Sequence, residues 1–182
     1  MTSSLSTTSY ALLGLLVFDS ETSAHGLTGY ELKQRADRTL RFYWVSPAMS
    51  QIYTELDRLS RNGCVEAADD TSGKRTTRRF RITPEGRELL ETWLHTSEQE
   101  FPILKHPIAL RLMLGSLMGP GEVESMLDGY VEALAARRKE LEGVREMLGD
   151  NPAVAYPARV ADWGLAYYDS EVEIVEKLRR TL

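Results

Sequence analysis

Four polar side chains at helical spacing, Ser50, Thr54, Asp57 and Arg61, share one edge of the stretch from Ser46 to Gly63, SPAMSQIYTELDRLSRNG, with Gln51 and Tyr53 flanking them. At about 100° per residue this edge lies opposite an apolar one made of Met49, Ile52, Leu56 and Leu59. Small hydroxyls, an amide and a guanidinium on one face are groups that hydrogen-bond base edges in a major groove. Taken alone, the pattern also describes an ordinary amphipathic surface helix. A second group is cationic: from Lys74 to Arg87 there are six basic residues (Lys74, Arg75, Arg78, Arg79, Arg81, Arg87) against one acid, Glu85. Cations near the tip of a hairpin reach phosphates or a narrow minor groove, although they also guard exposed strand edges. A basic hairpin directly after a polar-faced helix points to duplex DNA. The chemistry of catalysis has no comparable pattern. His25, His95 and His106 are scattered and read as ordinary surface histidines, and there is no HExxH, CxxC, Gly-rich phosphate loop or nucleophile elbow. No catalytic residue, metal site or cofactor is expected, and the chain reads as a non-enzyme.

The elements that would hold these groups make up a winged helix-turn-helix. Ser46 and Pro47 are a favourable N-cap and first-turn pair for the polar-faced helix, and Asn62-Gly63 is a favourable stop. Cys64 to Ala68 reads as a short strand, Asp69 to Gly73 as a turn, and Arg79 to Thr83 as an alternating second strand, giving a two-stranded wing. Upstream, the apolar run Tyr10 to Phe18 predicts a hidden first helix. Thr28 then caps a second, GYELKQRADRTL, with Tyr30, Leu32 and Ala36 facing inward, and Phe42-Tyr43-Trp44 completes the core. Thr83, Pro84 and Glu85 suit the start of a further helix.

Three segments together, TGYELKQR (Thr28 to Arg35), FYWVSPAMSQIYTELDRLSRNGCVE (Phe42 to Glu66) and RITPEGRELL (Arg81 to Leu90), resemble the PadR family of bacterial transcriptional regulators. The segment from Phe101 onward resembles, mostly in helix layout, the helical dimerisation domain of the longer PadR-like proteins, which include virulence-type activators. The resemblance implies a mostly α fold: a winged helix-turn-helix DNA-binding domain over residues 1–97, then a helical dimerisation and possible effector-binding domain over 98–182. It also implies a homodimeric regulator, a repressor, on a palindromic double-stranded DNA operator, released by a small hydrophobic or phenolic effector. Ser50, Gln51 and Thr54 would read bases, while Tyr53, Arg58, Arg61, Lys74, Arg75 and Arg78 would bind phosphates. The chain departs from many relatives in carrying Pro47 and Ala48 where those have a histidine, so their base preference does not transfer. The alternative of a different class is a winged-helix module that binds a partner protein instead of an operator.

The C-terminal part supplies means of pairing. Residues 108–118 form an apolar helix, and Gly119-Pro120-Gly121 breaks it. Val123, Leu127, Tyr130, Leu134, Leu141, Val144 and Leu148 then follow a three-four spacing interrupted at Arg137, and Val160, Trp163, Tyr167, Ile174, Leu178 and Leu182 form another such stripe after the break at Asn151 to Pro157. Such stripes close a helical hairpin, or pair with a second chain through surplus apolar faces. Leu127, Tyr130, Leu134, Leu141, Trp163, Tyr167, Ile174 and Leu178 are the expected dimer residues. Trp163, Tyr167, Tyr168, Met113, Met118 and Met126 either line an effector cavity or are packing residues.

Composition agrees with this organisation. With 42% hydrophobic and 27% charged residues, the chain has the make-up of a soluble globular protein. Its longest apolar run, Ala11 to Phe18, is far short of a membrane span. The start, MTSSLSTTSY, lacks the basic residues of a secretory signal, and the single Cys64 excludes an internal disulfide, so a cytoplasmic location is expected. Net charge is −5. Residues 1–95 hold 12 Lys/Arg and 12 Asp/Glu of the totals of 22 and 27, so residues 96–182 hold 10 and 15 and supply the whole −5. Contact with phosphate must therefore come from local basic patches in the neutral half.

Overall fold

The computed structural model describes residues 5–22, 25–70, 76–98 and 105–182. The chain divides into two units, Met1–Glu100 and Phe101–Leu182. In the first, the apolar run lies within helix α1 (Thr7–Thr22), where Leu12, Leu13 and Leu16 are buried. Two polar contacts fix α1 to its neighbours. The buried Ser9 hydroxyl donates to Glu55, and the buried Asp19 carboxylate accepts from Arg35 at 2.8 Å. Helix α2 (Gly29–Thr39) starts at a reciprocal cap: the Glu31 N–H donates to the Thr28 hydroxyl at 3.1 Å, and the Thr28 N–H donates to the Glu31 carboxylate at 2.8 Å. Leu32 and Ala36 face the core as expected, but Tyr30 is exposed. Only Phe42 of the aromatic triplet is buried. Tyr43 and Trp44 face solvent, because a short 3-10 turn (Leu40–Phe42) swings the chain out of the core.

Helix α3 spans Met49–Arg61 and begins two residues later than its sequence suggests. Ser46 is not its cap. The Ser46 hydroxyl donates to Asp37 at 2.6 Å and accepts from Lys33 at 3.1 Å, tying the turn to α2, and Pro47 is buried before the helix starts. The cap position falls on Ala48, whose N–H donates instead to the Gln51 side-chain oxygen at 3.1 Å. Ile52, Leu56 and Leu59 are fully buried. The helix stops as expected: Gly63, at φ 70°, lets the Cys64 N–H fold back onto the Leu59 carbonyl at 2.9 Å.

The wing is larger than two strands. Strands β2 (Val65–Asp70) and β3 (Thr77–Ile82) pair antiparallel from Val65↔Ile82 to Asp70↔Thr77, so Asp69 belongs to a strand and not to the turn. A two-residue strand β1 (Leu27–Thr28), too short for alternation to reveal, pairs with β3 on its other side, giving the order β1-β3-β2. The rest of the expected turn, residues 71–73, lies outside the described residues.

Helix α4 (Pro84–Thr96) starts at Thr83, as expected, and is fastened to the end of α3. Thr83 accepts the Gly86 N–H at 3.0 Å and donates to the Gly63 carbonyl at 2.7 Å. Gly86 passes so close to Cys64 that a Cβ there would lie 2.1 Å from the Cys64 carbonyl oxygen. Farther along, Trp93 stacks on Tyr10 of α1, with ring centroids 4.6 Å apart.

The second unit is built on a helical hairpin. A short helix α5 (Pro107–Met113) precedes α6 (Glu122–Leu148) and α7 (Ala155–Arg179). Ion pairs Arg138–Asp169, Arg145–Asp162 and Arg179–Asp128 show that α6 and α7 run antiparallel. Helix α6 uses Met126, Leu127, Leu134 and Leu141 inward. Helix α7 does not turn in the stripe that its large apolar residues trace. Its buried face is Ala158, Ala161, Gly164, Tyr168, Glu171 and Val175, because small residues let the two backbones approach. Among the described residues no helix is long and apolar enough to cross a membrane.

Candidate nucleic-acid interface

The outward face of α3 carries Ser50, Gln51, Tyr53, Thr54, Asp57 and Arg61, all exposed, with Arg58 half-buried at its edge. Ile52, Leu56 and Leu59 anchor the opposite face in the core, so the polar side is held outward by packing. Local hydrogen bonds set what each group offers. The Thr54 hydroxyl donates to the Ser50 carbonyl at 2.9 Å, leaving its lone pairs and methyl outward. The Gln51 oxygen already accepts from Ala48, which leaves its amide N–H groups as donors. Arg61 donates through Nε to the Asp57 carbonyl at 3.2 Å, placing the guanidinium along the last turn. Asp57 puts a carboxylate on the same face, which suits an amino donor such as that of cytosine and repels phosphate. Arg58 approaches Glu55 at 3.5 Å and is partly neutralised there.

On the wing, Arg78 is exposed, with its guanidinium carbon 5.5 Å from the Phe80 ring centroid. Lys74 and Arg75, expected to bind phosphates beside it, lie outside the described residues. Arg79 has a different role from its basic neighbours. It donates to Asp70 at 3.0 Å, to Glu31 at 3.0 Å and to the Gly26 carbonyl at 2.9 Å, clamping the wing to the start of α2. Burial works to raise the Glu31 pKa, but the Thr28 hydrogen bonds and the Arg79 charge outweigh it and hold the carboxyl below its usual range. No sequence pattern separates Arg79 from Arg78, since the pairing of β1 with β3 decides which arginine meets α2. Cys64 is buried, and burial, followed by the charge of Glu85, raises its pKa, so it is held as the thiol.

The expected dimer residues separate into two groups. Leu127, Leu134 and Leu141 are buried inside the hairpin and already covered by their own chain, and Tyr130 is half-buried. Trp163, Tyr167, Ile174 and Leu178 are exposed, and at about 100° per residue they fall within roughly 60° of arc on α7. The candidate cavity residues do not surround one space: Met126 and Tyr168 are buried, while Met113 and Trp163 stand out in solvent. His106 is not an ordinary surface histidine. It caps α5 by accepting from the Ala109 N–H at 3.1 Å, and its Nε2 meets the buried Glu171 at 2.9 Å. Tyr130 donates to the same carboxylate at 2.8 Å. Burial and then the Glu171 hydrogen bond raise the Tyr130 pKa. The only signal of this cluster in the sequence is a histidine at the cap position before Pro107.

A helix anchored by its apolar side, presenting hydrogen-bonding groups outward and followed by an antiparallel wing, defines a winged helix-turn-helix protein of the DNA-binding regulator class. Residues 20–92 match the Transcriptional regulator PadR-like family. Among solved structures, Bacillus subtilis PadR in complex with operator DNA is similar, with a TM-score of 0.79 and 24% identity over 95% of this chain and 97% of that one. The same protein in complex with p-coumaric acid matches with a TM-score of 0.69 and 22% identity, over 93% and 92% of the two chains. The Vibrio cholerae virulence activator AphA matches with a TM-score of 0.64 and 18% identity, over 96% and 99%. At these identities the likeness establishes a shared fold. Comparison with curated proteins gives no match.

Proposed function

We propose that the chain is a homodimeric, sequence-specific transcriptional repressor acting on a palindromic operator in the cytoplasm, with no catalytic activity of its own. The observation that carries this reading is the outward face of α3, where Ser50, Gln51 and Thr54 are exposed opposite a fully buried Ile52–Leu56–Leu59 edge. In this reading those three side chains meet base edges, while Tyr53, Arg58, Arg61 and Arg78, with Lys74 and Arg75, meet phosphates. Residues 1–97, within the first unit, are the DNA-binding domain in this reading. Residues 98–182 pair two copies through the exposed stripe on α7, so that two α3 helices enter successive major grooves about 34 Å apart. A small phenolic or hydrophobic effector acting on the second unit would change that spacing. The similarity to a regulator whose structures hold operator DNA and p-coumaric acid supports both parts.

The test is selection of bound duplexes from a random pool by the purified protein. A consensus with twofold symmetry is expected, and a reporter behind that site should be silenced by the protein. Failure to enrich any duplex overturns the reading in favour of a winged-helix module that binds another protein. A panel of phenolic acids titrated into the complex should lower operator affinity, and affinity unchanged across the panel removes the effector part.

A further inference from the structure

We propose that Gly29 is a positioning residue for DNA binding: its missing side chain is the seat on which the Tyr53 ring lies, holding the Tyr53 hydroxyl at the junction of α2 and α3. This rests on the operator-binding reading above. A Cβ built on Gly29 would stand 2.7 Å from Tyr53 Cε1, 2.8 Å from Cζ and 3.0 Å from the hydroxyl oxygen, so a side chain there would push the ring from its seat. It is therefore the hydroxyl end of the ring that crosses the first turn of α2.

The glycine is not explained by its backbone. Gly29 is the first residue of α2 and is not among the glycines with positive φ, which are Gly26, Gly63, Gly121 and Gly149. Alanine would fit the backbone there and favour the helix. What an alanine there would meet, and displace, is the ring. Nor does Tyr53 serve the core, since it remains 48% exposed. Among the described residues its hydroxyl has no protein hydrogen-bond partner, so the donor is left to water or to a bound group. The first turn of α2 is also electrically prepared for an anion: its one acid, Glu31, is paired with Arg79 at 3.0 Å. In a helix-turn-helix the first of the two helices crosses the DNA backbone. A hydroxyl fixed at this junction donates to a phosphate without having to be ordered on binding.

The experiment is a double-mutant cycle on the full chain, with Gly29→Ala, Tyr53→Phe and the two combined, measured as affinity for the selected duplex by fluorescence anisotropy. Tyr53→Phe keeps the ring and removes the donor, and should weaken binding by about tenfold, as for one hydrogen bond to a charged group. Gly29→Ala displaces the ring and should lose a similar factor in the wild-type background, but less than about twofold beside Tyr53→Phe. Equal losses in both backgrounds, or no loss at all, overturn the inference. If Gly29→Ala alone is unstable, Gly29→Ala with Tyr53→Ala, where no ring is left to clash, should fold and bind like Tyr53→Ala, and a further loss there also overturns it. A wild-type chain that binds no duplex overturns the proposed function itself, which is a separate result.

Discussion

Trp163→Ala should separate the pairing of two copies from the folding of one. Trp163 is 76% exposed on α7 in a single chain, and it stands in line with Tyr167, Ile174 and Leu178. A tryptophan buries about 150–250 Å² when fully covered, so roughly 150 Å² of this one is available to a partner. If a second copy covers only half of that, the gain at about 25 cal/mol per Å² is about 2 kcal/mol per chain. A twofold interface counts each residue twice, so the dimer should lose about 4 kcal/mol, a rise of about 10³-fold in its dissociation constant. Sedimentation equilibrium over a concentration series measures this directly, and the helical content of the variant by circular dichroism should match wild type because the side chain is largely exposed in a single chain. Leu141→Ala is the contrasting control. Leu141 is almost wholly buried between α6 and α7, and its truncation should destabilise the hairpin by about 2–5 kcal/mol. A wild-type chain that stays monomeric, or a Trp163→Ala variant that associates like wild type, refutes the assignment of this stripe.

Two glycines should respond to alanine with opposite signs. Gly86→Ala would force a Cβ to within 2.1 Å of the Cys64 carbonyl and loosen the Thr83 cap, lowering stability by about 3 kcal/mol or more in urea unfolding. Gly129→Ala, with nothing within 4 Å of its new methyl on α6, should stabilise the second unit by up to about 1 kcal/mol. Arg79→Met should destabilise the first unit by about 1 kcal/mol at neutral pH, a modest figure because Arg79 is 27% exposed and solvent screens its ion pairs. Since the Glu31 carboxyl is held below its ordinary value of 4.5, its contribution is present above that pH and is lost as pH falls through the lower folded value. The acid limb of the stability curve should therefore be shallower in Arg79→Met, as followed by circular dichroism from pH 7 to pH 3. Arg78→Ala should leave stability unchanged and reduce the slope of log affinity against log salt by about 1 per protomer, and an unchanged slope would remove Arg78 from the phosphate contacts.

How much of this was legible in the sequence depended on whether the deciding contact was local. The Thr28 and Thr83 caps, the Gly63 stop and the buried edge of α3 were all readable, because each is fixed within a turn or two of chain. The start of α3 was misplaced because Ser46, a good cap by type, has a competing partner in Asp37 on another helix. Tyr30 and Trp44 were assigned inward on hydrophobicity, yet the first faces out from α2 and the second follows a 3-10 turn that no periodicity marks. On α7 the large residues drew attention to the wrong face for the hairpin, while Ala158, Ala161 and Gly164, at spacings of three, marked the face that packs. Arg79, Gly29 and the His106–Glu171–Tyr130 cluster depend on which distant residues meet, and sequence spacing holds no record of that.

The distribution of charge explains why pairing and DNA contact should respond differently to salt. In the first unit many cations are already engaged: Arg79 by Asp70 and Glu31, Arg35 by Asp19, and Lys33 by Asp37. On the proposed reading, Arg61 and Arg78, with Lys74 and Arg75, would be the main charges that one copy brings to phosphate, and so small a set would give weak non-specific binding. Two linked copies double the set and make the second contact intramolecular, raising affinity through effective concentration without any new kind of contact. In the proposed dimer, charge would not bring the copies together. In the second unit Arg138, Arg145 and Arg179 are engaged across the hairpin by Asp169, Asp162 and Asp128, and like copies carrying surplus acid repel. If the uncharged stripe from Trp163 to Leu178 joins two copies, it has to overcome that repulsion, which salt screens. Rising salt should therefore release the duplex steeply while leaving the dimer intact or tighter, as measured by anisotropy and sedimentation on the same samples. A dimer that dissociates in parallel with the duplex would mean that ion pairs, and not the apolar face of α7, join the two chains.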